Sequence, residues 1–213
     1  MSTPEDLLEV LQAQGIGDRR LLQAFRRIPR AHFVPPHLAS RAYLDQPLPI
    51  PHDQVTTQPS LSARMIEVLR LEGHEHVLEV GTGYGFQTAL LAATCRFVST
   101  VERWPDLAET ARQHLRRQGM DNVEVVVGDG TEGLPERAPF QAVLVSAAFP
   151  QVPPPLVEQL ALGGWLVQPI GSGGNESVVL FARDQDGLVR QRAVTAARFV
   201  RLYGTHGFGA SSS

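Results

Sequence analysis

The chain has 213 residues, 43% of them hydrophobic and 19% charged, with a net charge of −3. That is an ordinary globular composition, long enough for one domain with a sizeable core. It argues against a protein built mainly to grip nucleic acid, contains no apolar run near the ~18 residues of a membrane span, and opens with no secretory signal pattern.

Residues 3–15 read as a first helix: Thr3 can cap it, Pro4 suits the first turn, and Glu5 and Asp6 suit its positive end. A second helix is expected from Asp18 to Ile28, with Leu21, Leu22, Phe25 and Ile28 on one side and Pro29 ending it. From Pro35 to Pro59 the chain is proline-rich and aperiodic. Leu48, Ile50 and Val55 make it a packed loop, and so long a loop is usually functional. A helix follows over Ser60–Arg70. Strands are then expected at His76–Val80, Phe97–Glu102, Val123–Val127, Phe140–Val145 and Trp165–Ile170. Helices are expected between them at Phe86–Ala93, Pro105–Gln118 and Pro154–Leu162, the last closed by Gly163 and Gly164. Ser177–Arg183 and Leu188–Val200 read as an antiparallel pair turning through Asp184–Gly187. The tail from Gly204, rich in glycine and serine, is expected to fray. Alternating elements of this kind make an α/β fold: a mostly parallel, Rossmann-like sheet with helices on both faces and an antiparallel C-terminal edge.

The segment from Val77 to Thr88 carries the most information. It reads as a buried strand, a tight turn with Gly81, Gly83 and Gly85, and a helix start, the arrangement that holds a nucleotide-like cofactor at the end of a parallel strand. The dinucleotide pattern requires a glycine where Phe86 stands, which disfavours a nicotinamide enzyme. Glu79, just before the turn, would repel a pyrophosphate and suits a cationic, amine-bearing ligand. S-adenosylmethionine, with a sulfonium and an ammonium group, is such a ligand. Glu102 ends the next strand, where a carboxylate can accept both ribose hydroxyls. Asp129 ends the third, where it can accept from an adenine amino group while Gly130 leaves room for the ring. Thr82, Tyr84, Gln87 and Arg103 flank these positions and complete the expected cofactor site.

Other chemistries find little footing. The 19 basic residues include no lysine, excluding Schiff-base chemistry and a Walker lysine. The single cysteine, Cys95, forbids an internal disulfide, reads as core filler and fits a reducing cytoplasm. The seven histidines show no metal-ligand spacing beyond a His74-x-His76 pair expected on the solvated surface, so no metal is expected.

The chain resembles the protein-L-isoaspartate O-methyltransferases over about residues 18–203. The resemblance rests on Ile28-Pro29-Arg30 with Phe33-Val34-Pro35, Ala42-Tyr43-x-Asp45-x-Pro47-Leu48-Pro49-Ile50, Thr57-Gln58-Pro59 and the glycine turn. Val101-Glu102-Arg103, Gly128-Asp129-Gly130, Ala138-Pro139-Phe140, Ala147-Ala148, Pro169-Ile170-Gly171 and Arg198-Phe199-Val200 follow. The stretch from Tyr43 to Pro59 is the most specific, because it lies outside the common cofactor core. The resemblance implies a class I S-adenosylmethionine-dependent methyltransferase that esterifies isoaspartyl carboxylates in damaged proteins. It implies one domain over 1–213: N-terminal helices and a substrate-side loop (1–59), a cofactor core (60–203) and a tail (204–213). It further implies a cytoplasmic monomer whose partners are isoaspartyl proteins and peptides, not nucleic acid or membrane.

In that family a serine hydroxyl stands at the position of Thr57 and is treated as catalytic, so the resemblance makes Thr57 the catalytic candidate, with Gln58, Pro59, Ser62 and Arg201 beside the substrate. Thr57 keeps the hydroxyl and adds a methyl group; an alternative role is capping the next helix. Other departures are Ser60-Leu61-Ser62, Gln141, Phe149, which would widen the apolar lining, and Arg201, which could clamp a carboxylate or point into water. Three alternatives stay open: a tailoring methyltransferase acting on an aspartyl carboxylate of one dedicated peptide, a nucleic-acid methyltransferase, and a non-catalytic S-adenosylmethionine-binding module. The second is disfavoured by Ser146-Ala147-Ala148-Phe149-Pro150 where such enzymes carry Asn/Asp-Pro-Pro-aromatic.

Overall fold

The computed structural model describes residues 2–172 and 174–209. The chain opens with helix α1 (Pro4–Ala13), held by a reciprocal cap: the Thr3 hydroxyl accepts from the Asp6 N–H and the Asp6 carboxylate accepts from the Thr3 N–H. Helix α2 (Arg19–Arg27) is capped by Asp18, which accepts from the N–H groups of Arg20 and Leu21. Leu7, Leu8, Leu11, Leu21, Ala24 and Phe25 form their buried faces.

The segment expected as an irregular loop is more ordered than its proline content suggests. It holds short 3₁₀ turns at Arg30–Phe33 and Pro36–Arg41, then a small antiparallel hairpin of β1 (Leu48–Ile50) and β2 (Gln54–Thr56). Strands of three residues with Pro49 inside give too short an alternation to read. The turn places His52 and Asp53 at φ of 61° and 54°, a left-handed pair that only tertiary contacts can hold. One side chain organises the segment. Arg30 is completely buried and donates to the carbonyls of Ala42 (2.8 Å), Leu44 (3.2 Å), Gln46 (3.1 Å) and Thr57 (3.3 Å) and to the Thr56 hydroxyl (2.9 Å). Its desolvation lowers the guanidinium pKa to about 10.

Helix α3 (Pro59–Glu67) is shorter than expected, because Arg70 turns left-handed at φ 54°. The main sheet then forms from β3 (His76–Val80), β4 (Phe97–Glu102), β5 (Val123–Val127), β6 (Phe140–Val145), β7 (Leu160–Ile170), β8 (Glu176–Asp184) and β9 (Gly187–Ala197). Their order is β5-β4-β3-β6-β7-β8-β9, parallel as far as β7 and antiparallel beyond. Helices α4 (Phe86–Ala92), α5 (Pro105–Arg117) and α6 (Pro154–Gln159) connect the parallel strands. Val77 and Leu78 point to opposite faces, and each belongs to a separate buried cluster. One spreads under α1 to α5, the other under α6.

Two expectations are corrected here. The last connecting helix stops at Gln159, and Gly163-Gly164 lies inside β7 as a bulge, where the register jumps from Phe140↔Leu160 to Ala142↔Trp165. A side chain on Gly164 would press on the Gln141 carbonyl oxygen at 2.9 Å, so glycine answers to a sheet contact and not to a helix end. His74 is exposed as expected, but His76 is half-buried: its ring packs edge-on against Phe97 and Phe140, and Nε2 lies 2.9 Å from the Ser99 hydroxyl.

Candidate active site

The strand order reverses at β3, with β4 on one side and β6 on the other, so a crevice opens at their carboxyl ends. The turn after β3 runs along this crevice. Gly81, Gly83 and Gly85 have φ of 97°, 55° and 90°, conformations that other residues adopt only with strain. Side chains on Gly81 and Gly85 would also crowd Ser146 and Ala111.

Around the turn lies a cavity of about 900 Å³, open to solvent. Of the residues expected to hold a cofactor, Gly81, Thr82, Gly83, Tyr84, Gly85, Gln87, Glu102, Arg103 and Gly130 line it. Glu102 is nearly buried; its oxygens accept from the N–H groups of Gly83 (2.9 Å) and Trp104 (3.0 Å), tying the glycine turn to the end of β4. Each oxygen keeps a further lone pair. Arg103 lies over the rings of Trp104 and Tyr203, about 5 Å from each. A Cβ on Gly130 would collide with Val80, which explains glycine there.

Glu79 does not face this cavity. It is fully buried behind the turn and accepts from Thr88 Oγ1 (2.5 Å), Thr100 Oγ1 (2.8 Å) and Gln87 Nε2 (3.0 Å). Desolvation raises its pKa to about 7 against the pull of those hydrogen bonds. Between the ordinary value of 4.5 and about 7 the folded chain keeps a proton that the unfolded chain has lost. Stability therefore falls as pH rises through that window and levels off above it. Urea unfolding of the wild type and Glu79→Gln from pH 4 to 8 should show the wild type losing on the order of 3 kcal/mol relative to the variant. Parallel curves would assign Glu79 an ordinary pKa.

Asp129 is likewise turned away. Its carboxylate accepts from the N–H (2.8 Å) and hydroxyl (2.6 Å) of Thr131 and from the N–H of Thr205 (2.6 Å), and these bonds hold its pKa down against burial. The tail expected to fray thus folds back over the end of β5, with Phe208 N–H donating to the Leu202 carbonyl at 2.8 Å; residues 210–213 lie outside the described part. Phe149 packs edge-on against Phe208 and does not widen the cavity lining, while Arg201 sits over the Phe208 ring.

A second cavity of about 920 Å³ adjoins the first. Val55, Thr57, Ser146 and Val200 line both, so the two chambers share a wall. Ser62 and Arg201 line the first chamber and Gln58 the second, whereas Pro59 is buried as the first residue of α3 and lines neither. Thr57 does not cap α3, whose start has no side-chain cap. It is held from both sides: Arg30 grips its carbonyl, and Asp45 accepts from Gln58 Nε2 and the Ser60 N–H.

The roof of the site lies outside the residues expected from the sequence. Ile50, Gln54 and Val55 of the hairpin line the first chamber. The hairpin is pinned by His52, whose ring stacks on Trp104 at 4.0 Å and whose Nε2 lies 2.8 Å from Asp106. Tyr203 and Leu202, from the segment after β9, lie outside that set as well. Among the described residues no three His, Cys, Asp or Glu side chains are grouped so as to hold a metal ion.

The profile of the family described as protein-L-isoaspartate(D-aspartate) O-methyltransferase matches residues 2–207. A protein-L-isoaspartate O-methyltransferase of Methanoculleus marisnigri is 45% identical, over 96% of this chain and 93% of its own length. One of Anaeromyxobacter dehalogenans is 49% identical, over 92% and 95%. A solved protein-L-isoaspartate O-methyltransferase superposes with a TM-score of 0.85 at 29% identity, covering 96% of this chain and 67% of its own. A Plasmodium falciparum protein crystallised with S-adenosyl-L-homocysteine shares the fold at a TM-score of 0.80 and 24% identity, over 95% of this chain and 99% of its own.

Proposed function

The chain belongs to the protein-L-isoaspartate(D-aspartate) O-methyltransferase family, and from that premise we propose that its two adjoining chambers are the cofactor and substrate halves of one methyl-transfer site. The fold is the Rossmann-like class I methyltransferase fold. The cofactor is S-adenosylmethionine, which supplies an electrophilic methyl group on a sulfonium. The reaction esterifies the carboxylate of L-isoaspartyl residues in protein repair; the ester then cyclises to a succinimide that reopens partly to aspartate. The lining of the first chamber fits such a ligand. The Glu102 oxygens, each with a lone pair left after accepting from Gly83 and Trp104, suit the ribose hydroxyls.

The observation that carries the reading is the position of Thr57 on the wall between the chambers. An isoaspartyl carboxylate, with a reference pKa near ~4, is already ionised at pH 7 and needs no strong base. The chain has to hold one of its oxygens in line with the methyl group and keep water away, which can contribute roughly 7–11 kcal/mol. Thr57 donates a hydrogen bond to that carboxylate and orients it. Gln58 and Ser62 flank it, Pro59 fixes the backbone entering α3, and Arg201 borders the opening. Glu102 accepts from the ribose hydroxyls, and Gly130 and the tethered Asp129 bound the adenine end. Glu79 shapes the site from behind by fixing Gln87, Thr88 and Thr100.

The same reading makes the chain a single domain over 1–213 acting as a cytoplasmic monomer, with isoaspartyl proteins as partners and neither nucleic acid nor membrane. Its support is the net charge of −3, unsuited to gripping nucleic acid, and the single cysteine, Cys95, which leaves no internal disulfide. Among the described residues no helix is long and apolar enough to cross a membrane.

The test is methyl transfer from labelled S-adenosylmethionine to two peptides differing only in isoaspartate against aspartate. A base-labile label on the isoaspartyl peptide alone is expected. Label on the aspartyl peptide, or on neither, would replace the repair reading with a dedicated substrate or a binding module.

A further inference from the structure

Ser146 follows β6 at the point where the strand order reverses, and its N–H donates to the Val80 carbonyl at 2.8 Å. Of the four residues on the wall shared by the two chambers, Ser146 and Thr57 alone carry a hydroxyl. The absence of a side chain at Gly81 makes room for it: a Cβ there would stand 3.3 Å from Ser146 Cβ. Ser146 Oγ accepts from Gln87 Nε2 at 2.7 Å, and the same nitrogen donates to Glu79 Oε1 at 3.0 Å. The Gln87 amide nitrogen bridges Glu79 Oε1 and Ser146 Oγ, so the donating end of the amide is the one that faces this side. With Gln87 as its donor, the Ser146 hydroxyl keeps its own proton to give away.

We propose that Ser146 is a second acceptor-orienting residue, donating to the substrate carboxylate across from Thr57, with Gln87 and Glu79 as the positioning residues that aim it. A single hydroxyl would leave the carboxylate free to swing about that bond; two donors on the shared wall define its plane and so the direction of the attacking lone pair. No proton is transferred: the carboxylate oxygen forms the new bond to the methyl carbon as the sulfur–methyl bond breaks, and the Ser146 proton stays on its oxygen. The inference rests on the functional reading above.

The test compares the wild type with Ser146→Ala and Ser146→Thr, measuring kcat and KM for an isoaspartyl peptide and the Kd for S-adenosylhomocysteine by calorimetry. Ser146→Ala should lower kcat about tenfold and raise the peptide KM severalfold, with the Kd within twofold. Ser146→Thr, which keeps the hydroxyl, should recover most of the loss. Unchanged peptide kinetics in Ser146→Ala, or a Kd that weakens by the same factor as kcat/KM, would overturn the inference, the second by placing the hydroxyl on the cofactor. Either result leaves the functional reading standing. A wild type that binds S-adenosylhomocysteine and leaves the isoaspartyl peptide unmethylated would overturn both.

Discussion

Thr57→Val should lower kcat/KM for an isoaspartyl peptide by about 10²-fold while leaving folding and the affinity for S-adenosylhomocysteine within twofold. Valine matches threonine in shape and β-branching, so the change removes a hydroxyl and little else. That hydroxyl stands where the two chambers meet, and among the described residues it makes no hydrogen bond of its own. Its donor capacity is therefore available to a substrate. The carboxylate loses negative charge as the ester forms, so the hydroxyl contributes by orientation, where a misplacement on the order of 1 Å can cost about 10²-fold. Single-turnover measurements with saturating cofactor would separate the methyl-transfer step from binding. A variant with wild-type turnover would remove Thr57 from the mechanism.

Arg30→Ala should destabilise the fold by about 3–5 kcal/mol, and any folded fraction should have lost most of its activity. The guanidinium meets four carbonyls and a hydroxyl inside a closed segment that supplies no other donor to most of them. Removing it leaves those acceptors buried and unpaired around a large cavity. Arg30→Lys should recover only part of the loss, because an ammonium group cannot reach acceptors spread across a planar fork. Because the Thr57 carbonyl is one of the acceptors, the defect should reach the site as well as the fold. Urea unfolding is the measurement; a loss below about 1 kcal/mol would mean that water or the backbone can replace the guanidinium.

The resemblance placed Arg30 inside Ile28-Pro29-Arg30, yet nothing in the sequence distinguishes it from the 18 other basic residues as a fully buried one. The hairpin is a similar case. Leu48, Ile50 and Val55 signalled a packed segment, but the roof it makes depends on His52 stacking on Trp104 and pairing with Asp106, 54 residues further along the chain. The start of the tail departs from expectation for the same reason: its glycines predict a loop, and residues 204–209 are tied down by Asp129 and Thr131 in the turn after β5.

Local chemistry settled the outline. The alternation of strands and helices follows from side-chain period, and the glycine turn follows from positive φ at Gly81, Gly83 and Gly85; both are written in neighbouring residues. Glu102 and Gly130 could be placed on the cavity because the ends of adjacent parallel strands must converge on one crevice. Where each side chain points at those ends is a non-local matter. Glu79 and Asp129 carry the expected charge at the expected strand ends. The first is drawn inward by Thr88 and Thr100 and the second sideways by Thr131 and Thr205, because a nearly buried carboxylate turns to whatever donors the packed fold supplies. The meeting of two chambers at Thr57 and Ser146 likewise arose only when a hairpin, a strand end and the C-terminal segment closed around one another.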